Sequence, residues 1–401
     1  MAGNQITETY VILDEMALKP GMIATRSLIE FDRNRIYNLG LFTQVELFYD
    51  SLGTIGFLYV DLRERWYVIP FPIFGFRDGD PKRAYYGAGL LHNNVAGKNK
   101  RLALSFALGD DPVAGISFMD PLLHRDARLF GSASVSYSHV RNKSEDEAAE
   151  GGEYDEDHFS ANVLLGKRLS LFQTGAVSLG YRSVSTDAYR PGRTVDPSGN
   201  DRYLVASLQF THDTRDLAEY ATQGALIAAS ATQNGVGESH LSYSRFALDL
   251  RGFLPLGDAF ILAGRGFGSF AAGGTVPVYG RTLFGFGERI RGHYRDVTEG
   301  EHLLHAGAEL RFLVLPPRTV YMSTLPLPEQ FRVWRFGIAC ALFGDAGTTW
   351  FRGEPVGLRR ISSGVGGGVH FLLPYGLVAR IEYAINDAHR GEWIIDFRSA
   401  I

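Results

Sequence analysis

The chain has 401 residues, 45% hydrophobic, 12% aromatic and 21% charged, with 47 glycines, a single cysteine and a net charge of -4. That balance excludes the basic stripe of a nucleic-acid binder, and the lone Cys340 excludes a disulfide framework within the chain. Charges or glycines interrupt every apolar run before the roughly 20 residues a membrane helix needs, whereas a membrane β-barrel alternates its apolar residues and needs no such run.

Met1 to Gly3 lead directly into the first element without a basic, apolar or cleavage region, as expected of a mature or trimmed chain. A short helix is predicted over residues 8–17, closed by Pro20-Gly21, and an amphipathic helix over 25–39, stopped by Gly40. Strands over 42–49 and 54–62 then flank the turn Asp50-Ser51-Leu52-Gly53. Residues 1–65 therefore read as a small α+β module.

From residue 66 to the end the helical period disappears. Ala133, Val135, Tyr137 and His139 fall on one face, against Ser132, Ser134, Ser136 and Ser138 on the other. Leu304, Ala306, Ala308, Leu310 and Phe312 oppose His305, Gly307, Glu309 and Arg311, and Trp393, Ile395 and Phe397 oppose Glu392, Asp396 and Arg398. A sandwich would share this alternation. About sixteen such segments of bilayer-crossing length, many with aromatics near an end, favour a barrel with greasy rows facing lipid.

Connections come in two sizes. Residues 109–112 and 255–258 are tight, while 141–157, 187–201 and 271–300 are long. The acidic run 145–157 reads as a solvated loop, because its spacing is not that of a calcium site.

The longest connection contains Phe284-Gly285-Phe286-Gly287-Glu288-Arg289-Ile290-Arg291-Gly292-His293-Tyr294. Its strand neighbours include Phe343-Gly344-Asp345-Ala346-Gly347 with Trp350, the acidic Glu309, and His212-Asp213-Thr214-Arg215-Asp216 followed by Gly224. Together these resemble the BamA-like superfamily of bacterial surface antigen barrels, which includes outer-membrane insertases, two-partner secretion pores and chloroplast-envelope translocons. Ile290, Arg291 and Gly292 match the tip of that family's lumen-inserted loop, while His293 replaces its aromatic and Tyr294 follows one place later. The N-terminal module resembles a POTRA domain through Gly3-Asn4, Thr7, Pro20-Gly21 and Tyr37-Asn38-Leu39-Gly40-Leu41-Phe42, starting after the family's usual first strand.

The resemblance implies a mainly β protein: an antiparallel transmembrane barrel of about sixteen strands over 66–401, with a POTRA domain over 1–65. Parity along the strands places Asp345 and Glu309 on the lumenal face, where bidentate bonds to Arg291 would pin the loop. The family's weak seam would join the first strand, 66–76, to the last, 392–401, and Pro70 and Pro72 remove donors from the first as edge positions tolerate. Trp393, Ile395 and Phe397 line the last.

The expected function is insertion or translocation of polypeptides at the outer membrane, with the module in the periplasm. Unfolded or extended client chains, outer-membrane lipid and periplasmic proteins at the module are the expected partners. A secretion pore exporting one cognate protein and a passive diffusion porin are the alternatives. No cofactor, metal, nucleic acid or catalytic centre is expected; His212 beside Asp213 is the nearest thing to a catalytic cluster and reads as part of a turn.

Overall fold

The computed structural model describes residues 1–401 other than 54, 77–83, 238–239, 286, 295, 325, 327–330, 356–360 and 398–400, together with the side chain of Phe76. In the N-terminal module, α1 spans Thr9–Leu13 and α2 spans Arg26–Asn38. Thr25 caps α2 by accepting the Leu28 N–H at 3.3 Å, and Gly40, at φ +72, carries the chain out of it. The first helix is shorter than the predicted 8–17. Buried Asp32 accepts the amides of Ala17 at 2.7 Å and Leu18 at 3.0 Å, which fixes that segment outside helical geometry.

Strands β1 (Phe42–Leu52) and β2 (Ile55–Glu64) pair antiparallel, so the hairpin turn is tighter than its sequence suggests. Asp50, Ser51 and Leu52 are paired, and Thr54 lies outside the described residues. Ala2 bridges Asp61 in parallel on the far edge of β2. Ile12, Ile36, Leu41, Phe42 and Leu62 form the module's core, each fully buried side chain worth about 1.5–3 kcal/mol relative to exposure.

The rest of the chain forms one sixteen-stranded antiparallel sheet, the wall of the barrel. Its strands follow chain order: β3 (Val68–Phe76), β4 (Ala84–Val95), β5 (Lys100–Gly109), β6 (Val113–His124), β7 (Leu129–Arg141), β8 (Asp155–Arg168), β9 (Gln173–Thr186), β10 (Asn200–Asp213), β11 (Gly224–Asn234), β12 (Tyr243–Leu256) and β13 (Phe260–Gly273). The small hairpin β14 (Thr282–Phe284) and β15 (Thr298–Gly300) stands apart in the connection that follows. The wall resumes with β16 (His302–Tyr321), β17 (Val333–Trp350), β18 (Ser362–Leu373), β19 (Leu377–Asn386) and β20 (Gly391–Asp396).

Greasy and ionic rows separate as the parity predicts. Along β16, Leu304, Leu310 and Phe312 are exposed, while His305, Glu309 and Arg311 between them are buried in the interior. Long connections cluster on the side away from the module, but residues 110–112, although short, lie on that same side. The acidic run is also more ordered than a solvated loop. It forms α3 (Glu145–Gly151), capped by Ser144, and buried Glu147 there accepts from buried Arg193 at 2.8 Å. On the module side, β16 and β17 continue past the wall as a ribbon whose register shifts around Pro316 and Pro317. The ribbon reaches the module, where the Arg63 guanidinium lies 5.2 Å from the Tyr321 ring and Trp66 lies 5.8 Å from Phe331.

The module sits across the near mouth of the barrel. Arg125, after β6, pairs with Asp14 at 2.8 Å, and Arg168, at the end of β8, pairs with Glu15, which also accepts from Arg35 of α2. Asn38 bonds the Asp216 carbonyl and the Ala218 amide, and Leu217 enters the module's core. Burial alone would raise the Glu15 carboxyl, yet the hydrogen bonds and charges of Arg168 and Arg35 outweigh it and hold the group below its ordinary value.

The two ends of the sheet are β3 and β20. Among the described residues no backbone ladder joins them. β20 holds 6 residues where β8 holds 14, and the first strand begins at Val68 rather than at Trp66. Phe397 follows β20, Arg398 to Ala400 lie outside the described residues, and Ile401 is buried with Ala221, Phe253 and Ala263. The predicted last strand is thus shorter than 392–401. Its place at the end of the described sheet, paired with β19 alone, fits Trp393 and Ile395 being 73% and 70% exposed, against 40% and 43% for Tyr383 and Ile381 on β19.

Candidate functional site

The connection between β13 and β16 folds back into the barrel. Its stem is the β14–β15 hairpin, and Phe284, Ile290 and Leu303 form an apolar cluster that seats the loop against the wall. Gly285, at φ +102, turns the chain inward. Phe286 of the motif lies outside the described residues.

Arg291 is 2% exposed and meets three carboxylates. Its Nε and Nη2 donate to the two oxygens of Asp345 on β17 at 2.7 and 2.9 Å, a bidentate pair. Nη1 donates to Glu309 on β16 at 2.9 Å and to Glu382 on β19 at 3.1 Å. The guanidinium also lies 3.6 Å from the centre of the Phe343 ring, so both its edge and its face are occupied.

Those carboxylates are themselves paired. Arg311 donates to Glu309 at 2.5 Å, Arg380 donates to Glu382 at 2.5 Å, and His370 shares a bond with Glu382 at 3.1 Å. Tyr220 completes the cluster, its hydroxyl 3.0 Å from the other ring nitrogen of His370. Donor atoms of Glu309, His370 and Glu382 lie within 4.8 Å of one another, close enough to ligate a metal. The chemistry does not suit one: Arg291, Arg311 and Arg380 already balance Glu309, Asp345 and Glu382 charge for charge, so a dication would find no net negative charge and would have to displace existing bonds.

A second anchor holds the other flank of the loop. Glu288 accepts from Arg265 of β13 at 2.8 and 3.0 Å, and Arg265 continues to Asp249 of β12, which also accepts from Arg251. The tip beyond Arg291 turns toward β18 to β20. The ring of His293 bonds Asp296, the Ser363 carbonyl and Asp387, a polar role in place of the expected aromatic packing. Tyr294 instead packs against Phe343, Ala384 and Ile394.

Gly364 on β18 leaves room for the loop. A Cβ there would stand 1.8 Å from the Arg291 carbonyl oxygen. The turn after β10 is built as its motif suggests, with Arg215 bidentate to Asp213 at 2.9 and 2.8 Å and Asp216 accepting from Thr222 and Gln223. Gly224 closes it at φ +98, where a Cβ would meet the Thr214 carbonyl at 2.2 Å. The His212 ring lies 6.4 Å from that of Phe172, tilted 53° to it. Pro70 and Pro72 lie on β3, opposite Leu90 and Ala88 of its one partner strand, as edge positions allow.

The structure thus brings together Glu309 and Asp345, which parity placed on the lumenal face, with Arg291, which the family resemblance put on an inserted loop, and adds Glu382, Arg311, Arg380, His370, Glu288, Arg265 and Gly364. Glu382, Arg380 and Arg311 carried a signal, since each alternates with greasy neighbours. Glu288, Arg265 and Gly364 carried none, because their roles depend on where a long connection returns.

An antiparallel membrane barrel of sixteen strands, with a loop locked inside by a buried arginine and a small α+β module at one mouth, defines a class of outer-membrane protein that handles polypeptides. The Omp85 superfamily domain matches residues 94–395, and the surface antigen variable number repeat, the POTRA model, matches residues 1–60. The chain belongs to the Omp85 superfamily.

No curated protein sequence matches it. Solved structures are similar in fold. One is BamA from Haemophilus ducreyi lacking POTRA domains 1-3, 16% identical, covering 98% of this chain and 81% of that one with a TM-score of 0.58. CdiB from Acinetobacter baumannii is 16% identical over 98% of this chain and 71% of its own, with a TM-score of 0.53. CdiB from Escherichia coli is 12% identical over 97% and 72%, with a TM-score of 0.59.

Proposed function

We propose that this chain is an insertase-type assembly factor: it docks extended client polypeptides at its periplasmic POTRA module and releases them into the membrane through the seam between β3 and β20. The observation that carries this reading is the contrast between the interior and the seam. The loop and its ion-pair cluster are locked against the inner face of β16, β17 and β19, whereas β20 is a six-residue strand that, among the described residues, pairs with β19 alone. The route of least resistance for a client strand is therefore lateral, at the edges of β20 and β3, where a client can add one backbone hydrogen bond at a time. Work of this kind draws on the client's own folding free energy and uses neither a catalytic residue nor a cofactor.

The module's hairpin supports docking. Phe48, Tyr49, Leu52, Ile55, Phe57 and Tyr59 are exposed on its outer half, next to the open edge of β1, where an extended chain could pair and bury its alternate side chains. Export of one cognate protein through the lumen is the second reading. It would require the module to leave the mouth and Arg291 to leave Asp345, and so predicts transport that stops when the loop is cross-linked to the wall. Reconstitution decides between them. An insertase accelerates folding of an unfolded barrel client into liposomes and loses that acceleration when a disulfide across the seam joins β3 to β20, whereas a secretion pore keeps its transport; no acceleration by the wild-type chain refutes the proposal.

A further inference from the structure

The tip of the inserted loop does more than anchor itself: it grips the turn and strand that form one side of the seam. Gly292, at φ +101, bends the backbone so that its own N–H and that of Tyr294 converge on one oxygen of Glu392, at 2.9 and 3.1 Å. Converging backbone amides of this kind form an anion-binding nest, and the anion they hold lies on β20. The Gly292 carbonyl accepts from Asn386 Nδ2 at 3.0 Å, and Asn386 Oδ1 in turn accepts the amides of Ala388 and Arg390, shaping the turn that launches β20. His293 reaches Asp387 in the same turn at 2.9 Å.

A second link runs along the wall. Arg291 bonds Glu382, Glu382 bonds Arg380, and Arg380 bonds Asp396 at the last position of β20 at 2.9 Å. Both ends of β20 are therefore tied to the loop tip, one through Glu392 and one through Asp396. Among the described residues its backbone ladder is with β19 alone.

We infer that the loop tip is a latch on the seam, with Glu392 and Asn386 as the positioning residues through which docking of the loop holds β20 in place. The inference rests on the reading that the seam between β3 and β20 is where the barrel opens. In physical terms, a loop seated on Asp345 stabilises a paired β20, and a loop that lifts removes the nest from Glu392 and frees the strand edge.

The test is hydrogen exchange of β20 amides, measured by mass spectrometry on the full chain in lipid nanodiscs, with heat-dependent gel mobility confirming a folded barrel. Charge-assisted bonds are stronger than neutral ones, so Glu392→Ala should speed exchange across residues 391–396 by roughly tenfold or more, with β8 and β9 unchanged. Glu392→Gln keeps an oxygen that can accept both amides and should stay nearer the wild type. Asn386→Ala alters no charge and should give the same direction, so the latch remains testable if Glu392→Ala misfolds.

Coupling must also be reciprocal. Arg291→Ala, which releases the loop from Asp345, should speed exchange in β20, and Glu392→Ala should speed tryptic cleavage of the loop after Arg289. Unchanged β20 exchange in Glu392→Ala and Asn386→Ala, or an effect in one direction without the other, would overturn the latch. Client folding is read separately: a working latch with no acceleration of a client refutes the insertase reading alone, and accelerated folding with an indifferent β20 refutes the latch alone.

Discussion

Removing the Arg291 side chain should have a cost set by what it leaves behind. Glu309 keeps Arg311, and Glu382 keeps Arg380 and His370. Asp345 keeps nothing of comparable strength, because Arg291 supplies every hydrogen bond recorded to its side chain among the described residues. Arg291→Ala therefore strands one buried carboxylate, which by precedent for broken buried pairs costs about 3–5 kcal/mol. Much of that cost is the uncompensated charge, so adding Asp345→Asn to Arg291→Ala should recover about half, and Asp345→Asn alone should cost less than Arg291→Ala. The assay is a double-mutant cycle on urea unfolding in detergent micelles, with tryptic protection of the loop measured in parallel. If Arg291→Ala unfolds at the wild-type midpoint with its loop still protected, or if Asp345→Asn makes Arg291→Ala worse, the buried-charge argument is wrong.

Further predictions follow from the same geometry. Gly364→Ala places a methyl group on the Arg291 carbonyl, and as an overpacked site should lose about 1–3 kcal/mol while exposing the loop to trypsin; a protected loop at wild-type stability would contradict the seating described above. Arg265→Ala should loosen the Glu288 flank but leave the Arg291 cluster paired, so its loop should be cut faster after Arg281 or Arg289 while retaining wild-type β20 exchange. Leu248→Arg puts a charge on the lipid-facing row of β12, and barrel insertion into liposomes should fall by an amount corresponding to roughly 2–4 kcal/mol near the bilayer centre. Docking of the module should depend on pH. Glu15 is depressed because the Arg168 and Arg35 interactions exceed its desolvation, and Asp14 is depressed first by its hydrogen bond from Arg125. A depressed carboxyl stabilises the docked state in full above its ordinary range and loses that contribution as pH falls through the lowered value. Fluorescence transfer between module and barrel should therefore be flat from neutral pH to about pH 5 and fall below about pH 4; loss on going from pH 7 to 9 would refute the assignment.

How much of this was legible in the sequence depended on whether a feature was local. Parity is local, and it put Glu309, Arg311, Asp345, Arg380 and Glu382 on the lumenal face from the two-residue period alone. Capping is local too, so Thr25 and Gly40 mark α2 correctly. By contrast, α1 falls short because Asp32, some fifteen residues downstream, claims the amides that a longer helix would have used. The ribbon beyond the wall carries no clear local mark, because Pro316 and Pro317 interrupt the two-residue period, yet β16 absorbs them as register shifts and continues to Tyr321. The motif residue His293 looked like a weakened match, and only the position of Asp387 and Ser363 shows that it exchanges aromatic packing for hydrogen bonds.

The arrangement also bears on why an ion-pair cluster, rather than apolar packing alone, holds the loop inside the barrel. An apolar loop seated in an apolar lumen would be held by area alone, with many nearly equivalent seats. Here the bidentate fork of Arg291 accepts one orientation, because Asp345, Glu309 and Glu382 project from three different strands and Phe343 bounds the remaining face. Such a seat is specific without being permanent: each carboxylate except Asp345 has an alternative cation, so the wall is not left with three bare charges when the loop lifts. A loop that must dock in one register and still be able to leave is better served by shared salt bridges than by hydrophobic burial, and the two residues that make release costly, Asp345 and Glu392, are the ones that lie on either side of the tip.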